Sequence, residues 1–139
     1  MSNQIVTISD IAVGQSLPEL VVPITASAIV ASAIATNDFE NVHHDKAAAQ
    51  ATGVPDIFMN ILTTNGFVQR FVSDWCGAAA RIDSVDIKLG APNFVGDTMK
   101  LTGEVTEVQG DKVEVRVSGR NAIGEHVGAT VKLNFGGAA

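Results

Sequence analysis

Asp38 and His43 are the two residues of this sequence whose types and spacing suggest chemistry. They lie five positions apart in Asp38-Phe39-Glu40-Asn41-Val42-His43-His44-Asp45. In a loop, that separation lets the chain double back and bring both side chains to one point. A carboxylate beside an imidazole orients the ring and fixes its tautomer, and together the two can grip one water. The imidazole then takes a proton as the water attacks, and a proton is delivered to the neighbouring carbon. By itself an Asp-x4-His spacing is weak evidence, because it is common by chance.

The other polar candidates have plainer readings. His44 reads as a solvent-facing loop residue, and Asp45 as a helix cap. His126 falls out of phase with the apolar face of its strand and reads as surface. Arg70 and Arg81 are candidate cations for cofactor phosphates, with an ordinary surface role as the alternative. Cys76 has no nucleophile context and reads as a buried or helix-end thiol. Three histidines and one cysteine show no metal-ligand spacing, so no metal is expected. No glycine loop of the P-loop or dinucleotide type is present, so no bound cofactor is expected.

The elements that must position Asp38 and His43 follow from patterning. Leu20 to Ile24 reads as a short strand, with Pro23 suited to an end or edge. Thr25 is a plausible N-cap for a helix over 26–35, with Ile29, Ala33 and Ile34 on one side. Asp45 caps a second short helix over 46–52, which Gly53 ends. The longest apolar segment, Ile57 to Trp75, repeats at helical spacing with Asp56 as a possible cap. It is apolar around most of its girth and therefore reads as the buried central helix. Gly66 within it suggests the close approach of another backbone. After Gly77 the period becomes two. Strands beginning at Ile82, Met99, Val113 and Val127 predict a four-stranded antiparallel meander with one wet face. Helices first and an antiparallel sheet second give an α+β fold, a sheet curled around a long helix, as in the hot dog arrangement.

Composition bounds the function. The 139 residues suit one domain over 1–139, 46% of them hydrophobic and 17% charged. A net charge of −6 argues against nucleic acid or an anionic membrane as partner. No apolar run approaches a membrane span. Met1-Ser2-Asn3-Gln4 lacks the features of a secretory signal. A single cysteine rules out an internal disulfide and fits a reducing, cytoplasmic compartment.

The segment from Thr25 through Asp38-Phe39-Glu40-Asn41-Val42-His43-His44-Asp45 to Gly53 resembles the MaoC-like (R)-specific enoyl-CoA hydratase family. That family's signature is Asp-Phe-Asn-Pro-x-His-x-Asp. Asp38, Phe39, His43 and Asp45 match it, while Glu40-Asn41 stand where the family has Asn-Pro. Leu17-Pro18-Glu19-Leu20 and the Gly96-Asp97-Thr98 turn after Pro92 also match. The resemblance implies that Asp38 and His43 are the catalytic pair. It also implies that a glycine amide at the start of the central helix helps form an oxyanion hole. Here Phe58-Met59-Asn60-Ile61 replaces the usual Ala-His-Gly-Met. Asn60 and Ile61 therefore become the candidate substrate-binding residues, and the oxyanion donor comes from this chain or from a partner.

His43-His44-Asp45, Asp56 to Leu62, Val68-Gln69-Arg70 and Asp74-Trp75 are similar to the small subunits of actinobacterial steroid side-chain enoyl-CoA hydratases. Such a subunit keeps the Asp/His pair and works with a larger MaoC-like partner, as a heterodimer or heterotetramer. The implied activity is addition of water across the 2,3 double bond of an acyl-CoA thioester, with coenzyme A as part of the substrate. The rivals are a hot dog acyl-CoA thioesterase and a non-catalytic subunit that stabilises a MaoC-like partner.

Overall fold

In the computed structural model, which describes residues 5–137, a five-stranded antiparallel sheet packs against one long helix. Residues 1–4, read as carrying no secretory signal, and Ala138-Ala139, part of a tail expected to fray, lie outside the described residues. The elements are β1 (Ser16–Pro23), α1 (Ala26–Ala35), α2 (Lys46–Ala51), α3 (Ile61–Cys76), β2 (Arg81–Leu89), β3 (Thr98–Gln109), β4 (Lys112–Arg120) and β5 (Glu125–Asn134). Short 3-10 turns occur at Ile8–Asp10, Asn41–His43 and Gly77–Ala79. No helix among the described residues is long and apolar enough to cross a membrane.

Local chemistry sets the first two helices. Thr25 caps α1 by accepting from the Ala28 N–H at 3.0 Å. Asp45 does the same for α2 through the Ala48 N–H at 3.1 Å. Each cap satisfies one of the amides that a helix start leaves without a partner. Gly53 follows α2 with a φ of +99°, a conformation that glycine adopts at little cost. Ile29 and Ala33 are buried, but Ile34 is 56% exposed, so the buried stripe of α1 is narrower than expected.

The central helix starts four residues later than the apolar repeat predicts. Ile57 to Met59 are extended instead. Phe58 forms an isolated bridge with Phe94, and the Met59 N–H donates to the Asn93 carbonyl at 3.0 Å. Their apolar side chains mimic helical spacing, but their backbone is claimed by the 90–97 loop. The cap is therefore Asn60, while Asp56 accepts from its neighbour Ile57 and pairs with Lys46.

The strand order is β1-β3-β4-β5-β2, which corrects the expected four-stranded meander. Only β3, β4 and β5 are joined as consecutive hairpins. The residues between β2 and β3 form a long loop rather than a tight turn, and β2 pairs with β5 at the far edge. At the other edge, β1 pairs with β3 and ends at Pro23, where a missing N–H is tolerated.

The core lies between α3 and the inner face of the sheet. Val68, Phe71 and Val72 of α3 meet Leu101, Val105, Val115, Val117, Val131 and Leu133. Gly103 occupies an inward position because a Cβ there would lie 2.7 Å from the Phe71 ring. Removing that ring should cost about 3–5 kcal/mol. Gly66 has open space where a Cβ would be, so no close backbone explains it, contrary to expectation.

Candidate functional site

Asp38 is placed by the way α1 ends. Asn37 takes the left-handed conformation, with φ of 57°, as a non-glycine residue. Its N–H donates to the Ile34 carbonyl at 3.0 Å, and the Asp38 N–H reaches back to the Ala33 carbonyl at 2.9 Å. These paired bonds form a Schellman C-cap, in which Asn is the usual substitute for Gly. The 3-10 turn Asn41–His43 then folds the chain back. His43 Nε2 comes to lie 3.5 Å from Asp38 Oδ2.

The tautomer of His43 follows from its other nitrogen. Nδ1 is 2.7 Å from the Phe58 carbonyl oxygen, which can only accept, so Nδ1 carries a proton. In the neutral ring Nε2 is then a lone pair facing the Asp38 carboxylate. Two acceptors cannot bond each other, and 3.5 Å is too long for a direct hydrogen bond. A donor such as a water bonding to both atoms completes the arrangement. The Phe58 ring packs edge-on against the imidazole with centroids 5.0 Å apart. The two side chains are 10% and 20% exposed.

Asp38 is held from a third side. Its Oδ2 accepts from Asn60 Nδ2 at 3.0 Å, and its Oδ1 accepts from the Glu40 N–H at 3.3 Å. The Asn60 amide holds the Asp38 carboxyl below its ordinary value, with smaller help from the Glu40 N–H and the His43 ring. The carboxylate is therefore charged throughout the neutral range. Asn60 itself is 1% exposed and forms the N-cap of α3. Ile61, the other residue expected to bind substrate, is half exposed at the first position of α3. The fold thus brings Asp38, His43 and Asn60 together, with Ile61 beside them in sequence.

The remaining candidates separate from this cluster. His44 is exposed and Asp45 caps α2. Arg70 pairs with Asp74 and Arg81 with Asp83, so each charge is met within its own element. Cys76 is buried, and burial pushes its thiol up, away from a reactive thiolate. No group of three or more His, Cys, Asp or Glu that could hold a metal occurs among the described residues.

His126 corrects the surface assignment. It is 2% exposed, with Nδ1 at 2.6 Å from the Ala91 carbonyl and Nε2 at 2.8 Å from Thr64 Oγ1. The register explains this. Gly119 pairs with Val127 and Arg120 with Glu125, so His126 is the extra residue of a bulge. A bulge resets the alternation of its strand and re-aims one side chain. Period-two reading carries no sign of it. Thr36 and the Phe58 carbonyl were also illegible as site components, since neither has a type or spacing that marks it. Asn37 did carry a signal, an Asn at the end of a helical pattern.

Comparison with known proteins bears on the family and the fold. A family model described as the MaoC like domain matches residues 11–126. The 3-oxo-4,17-pregnadiene-20-carboxyl-CoA hydratase beta subunit of Mycobacterium tuberculosis is 49% identical over 123 residues, covering 88% of this chain and 95% of that protein. The crystal structure of the ChsH1-ChsH2 complex from M. tuberculosis holds a chain that superposes with a TM-score of 0.87 at 49% identity, over 88% of this chain and 97% of that one. The R-hydratase PhaJ1 from Pseudomonas aeruginosa shares the fold at 19% identity, with a TM-score of 0.85 over 92% of this chain and 84% of that one.

Proposed function

The chain belongs to the MaoC-like domain family, and from that premise we propose that it is the Asp/His-bearing subunit of an enoyl-CoA hydratase. The observation that carries the reading is the 3.5 Å approach of His43 Nε2 to Asp38 Oδ2, with Nδ1 tied to the Phe58 carbonyl. In this reading a water bonds to both atoms. Its oxygen attacks the β-carbon of the enoyl thioester while His43 Nε2 takes one proton. The electron pair of the double bond moves onto the thioester oxygen, and a proton passed from the Asp38–His43 pair reaches the α-carbon. Asp38 stays charged, orients the water and stabilises the imidazolium that forms.

The enolate-like oxygen needs a hydrogen-bond donor. A backbone amide at the start of α3, at Asn60 or Ile61, or one from a partner chain, fills that role. By analogy with the M. tuberculosis relative, the substrate is a coenzyme A thioester bearing a steroid side chain. No cofactor is needed beyond the coenzyme A of the substrate. The lone free thiol suits a reducing, cytoplasmic setting.

We also propose a MaoC-like partner subunit, by analogy with the two-component complex. Ile34, Phe39, Ile61 and Leu62 are 56%, 64%, 50% and 48% exposed on the elements that carry or adjoin the site. Large apolar side chains left exposed on elements next to the site suit an interface. The test is to purify the chain alone and together with a MaoC-like partner, then follow loss of the enoyl-thioester absorbance. The complex is expected to add water, and the lone chain to be slow or inactive. Release of free coenzyme A from a saturated acyl-CoA would instead support a thioesterase. A full rate from the lone chain would end the partner requirement.

A further inference from the structure

We propose that Asn60 is a positioning residue whose side chain fixes the Asp38 carboxylate toward His43 while capping α3. Every hydrogen-bonding position of its carboxamide is used. Nδ2 donates to Asp38 Oδ2 at 3.0 Å and to Thr36 Oγ1 at 2.9 Å. Oδ1 accepts from the Thr63 N–H at 3.1 Å and from the Thr63 hydroxyl.

The orientation of the amide is determined by its surroundings. The Thr36 hydroxyl sends its own proton to the Ser32 carbonyl at 2.8 Å, so it accepts from Asn60. Reversing the amide would set Oδ1 against the Asp38 carboxylate and Nδ2 against the Thr63 N–H, losing both of those bonds. The residue therefore joins the end of α1, where Thr36 and Asp38 lie, to the start of α3.

Capping alone does not require this residue. Ser and Asp cap as well as Asn does, and Thr only a little less well. Among them only Asn also carries two N–H donors, and here both are spent on the α1 end. Asn60 therefore clamps the carboxylate as well as capping the helix. A clamped, ionised Asp38 presents a fixed acceptor to the water and leaves His43 as the group that takes its proton. The low carboxyl of Asp38 fits this arrangement, since Asn60 is its largest cause.

The kinetic part of this assignment rests on the hydratase reading, so the test includes a readout that does not. Asn60→Asp and Asn60→Ser both keep a capping oxygen and remove the amide N–H groups that reach Asp38 and Thr36. In the full chain, the titration of the Asp38 carboxyl is followed by carbon NMR. In the complex with the MaoC-like partner, kcat and KM are followed against pH. For Asn60→Asp, the Asp38 midpoint is expected to rise by about one unit or more as a second carboxylate replaces the donor. The acid limb of the pH profile should rise with it, with kcat down at least tenfold and KM changed less. Asn60→Ser adds no charge and should give a smaller rise, so it keeps the test intact if paired carboxylates unfold the helix start. An Asp38 midpoint that stays in place in Asn60→Ser overturns the clamp, whatever the activity. A shifted Asp38 midpoint in the two variants, together with a wild-type complex that does not hydrate, would uphold the clamp and refute the hydratase reading.

Discussion

The molecule contains two histidines in nearly the same local setting but with different surroundings. In both, Nδ1 donates to a backbone carbonyl, that of Phe58 at 2.7 Å for His43 and that of Ala91 at 2.6 Å for His126. They differ in what faces Nε2. For His126 it is the buried Thr64 hydroxyl at 2.8 Å, close enough to donate directly. For His43 it is a carboxylate at 3.5 Å, an acceptor that leaves the lone pair free. One ring is satisfied and belongs to the core, whereas the other lacks a donor that a small polar molecule can supply. Sequence position does not separate these cases; what stands opposite the second nitrogen does.

The surroundings also set their charge. Burial holds the His126 ring below its ordinary value, only partly offset by its bond to the Ala91 carbonyl. It therefore stays neutral and joins α3 to β5 and the 90–97 loop. That loop in turn pairs with Phe58 and Met59, the segment that anchors His43. His126 thus braces the backbone on which the placement of His43 depends.

The largest expected effect breaks the reactive side of the comparison. Asp38→Asn removes the charge opposite Nε2 and supplies a donor to it, making His43 resemble His126. Hydration by the complex should fall by about 10²–10⁴-fold, with the circular dichroism spectrum unchanged. Breaking the structural side should act on stability instead. His126→Leu strands the Thr64 hydroxyl and the Ala91 carbonyl, at about 1–3 kcal/mol of unfolding free energy in a urea titration.

A smaller effect sharpens how Asp38 is placed. Asn37→Val forces a β-branched residue into the left-handed conformation, at about 1–2 kcal/mol, and should lower activity. Asn37→Gly should preserve both. The smallest effect is in pH dependence. Because the folded His126 ring titrates below its unfolded value of about 6.5, the unfolded state binds more protons between the two. Stability contributed by neutral His126 is present above that value and is lost as pH falls toward the folded one. Urea titrations of His126→Gln across weakly acid pH should show a shallower loss than the native chain.

How much of this was legible follows from which forces were local. Thr25 and Asp45 cap their helices through residues three positions on, so α1 and α2 could be read directly. The α+β fold class, and the amphipathic β3 and β4, followed from periodicity. The start of α3 did not, because Ile57 to Met59 carry helical spacing while their backbone bonds to residues far along the chain. The place of β2 beside β5 is also a long-range choice that no pattern within β2 records. In the site, Asp38 and His43 were visible as a pair. The carbonyl that fixes the His43 tautomer and the amide that holds Asp38 come from residues 58 and 60, joined only by the tertiary fold. His126 was misread because a single bulged residue inverts the phase of its strand.

If His43 carries the proposed hydration and His126 only braces the fold, replacing each should change a different property. The most direct test sets two complexes side by side, one carrying His43→Ala and the other His126→Gln, and follows loss of the enoyl-thioester absorbance in each. His43→Ala is expected to lose at least about a hundredfold in rate while still assembling with its partner, and His126→Gln to stay within a few-fold of the native rate. Undiminished hydration by the His43→Ala complex, or an equal loss in both, would contradict it.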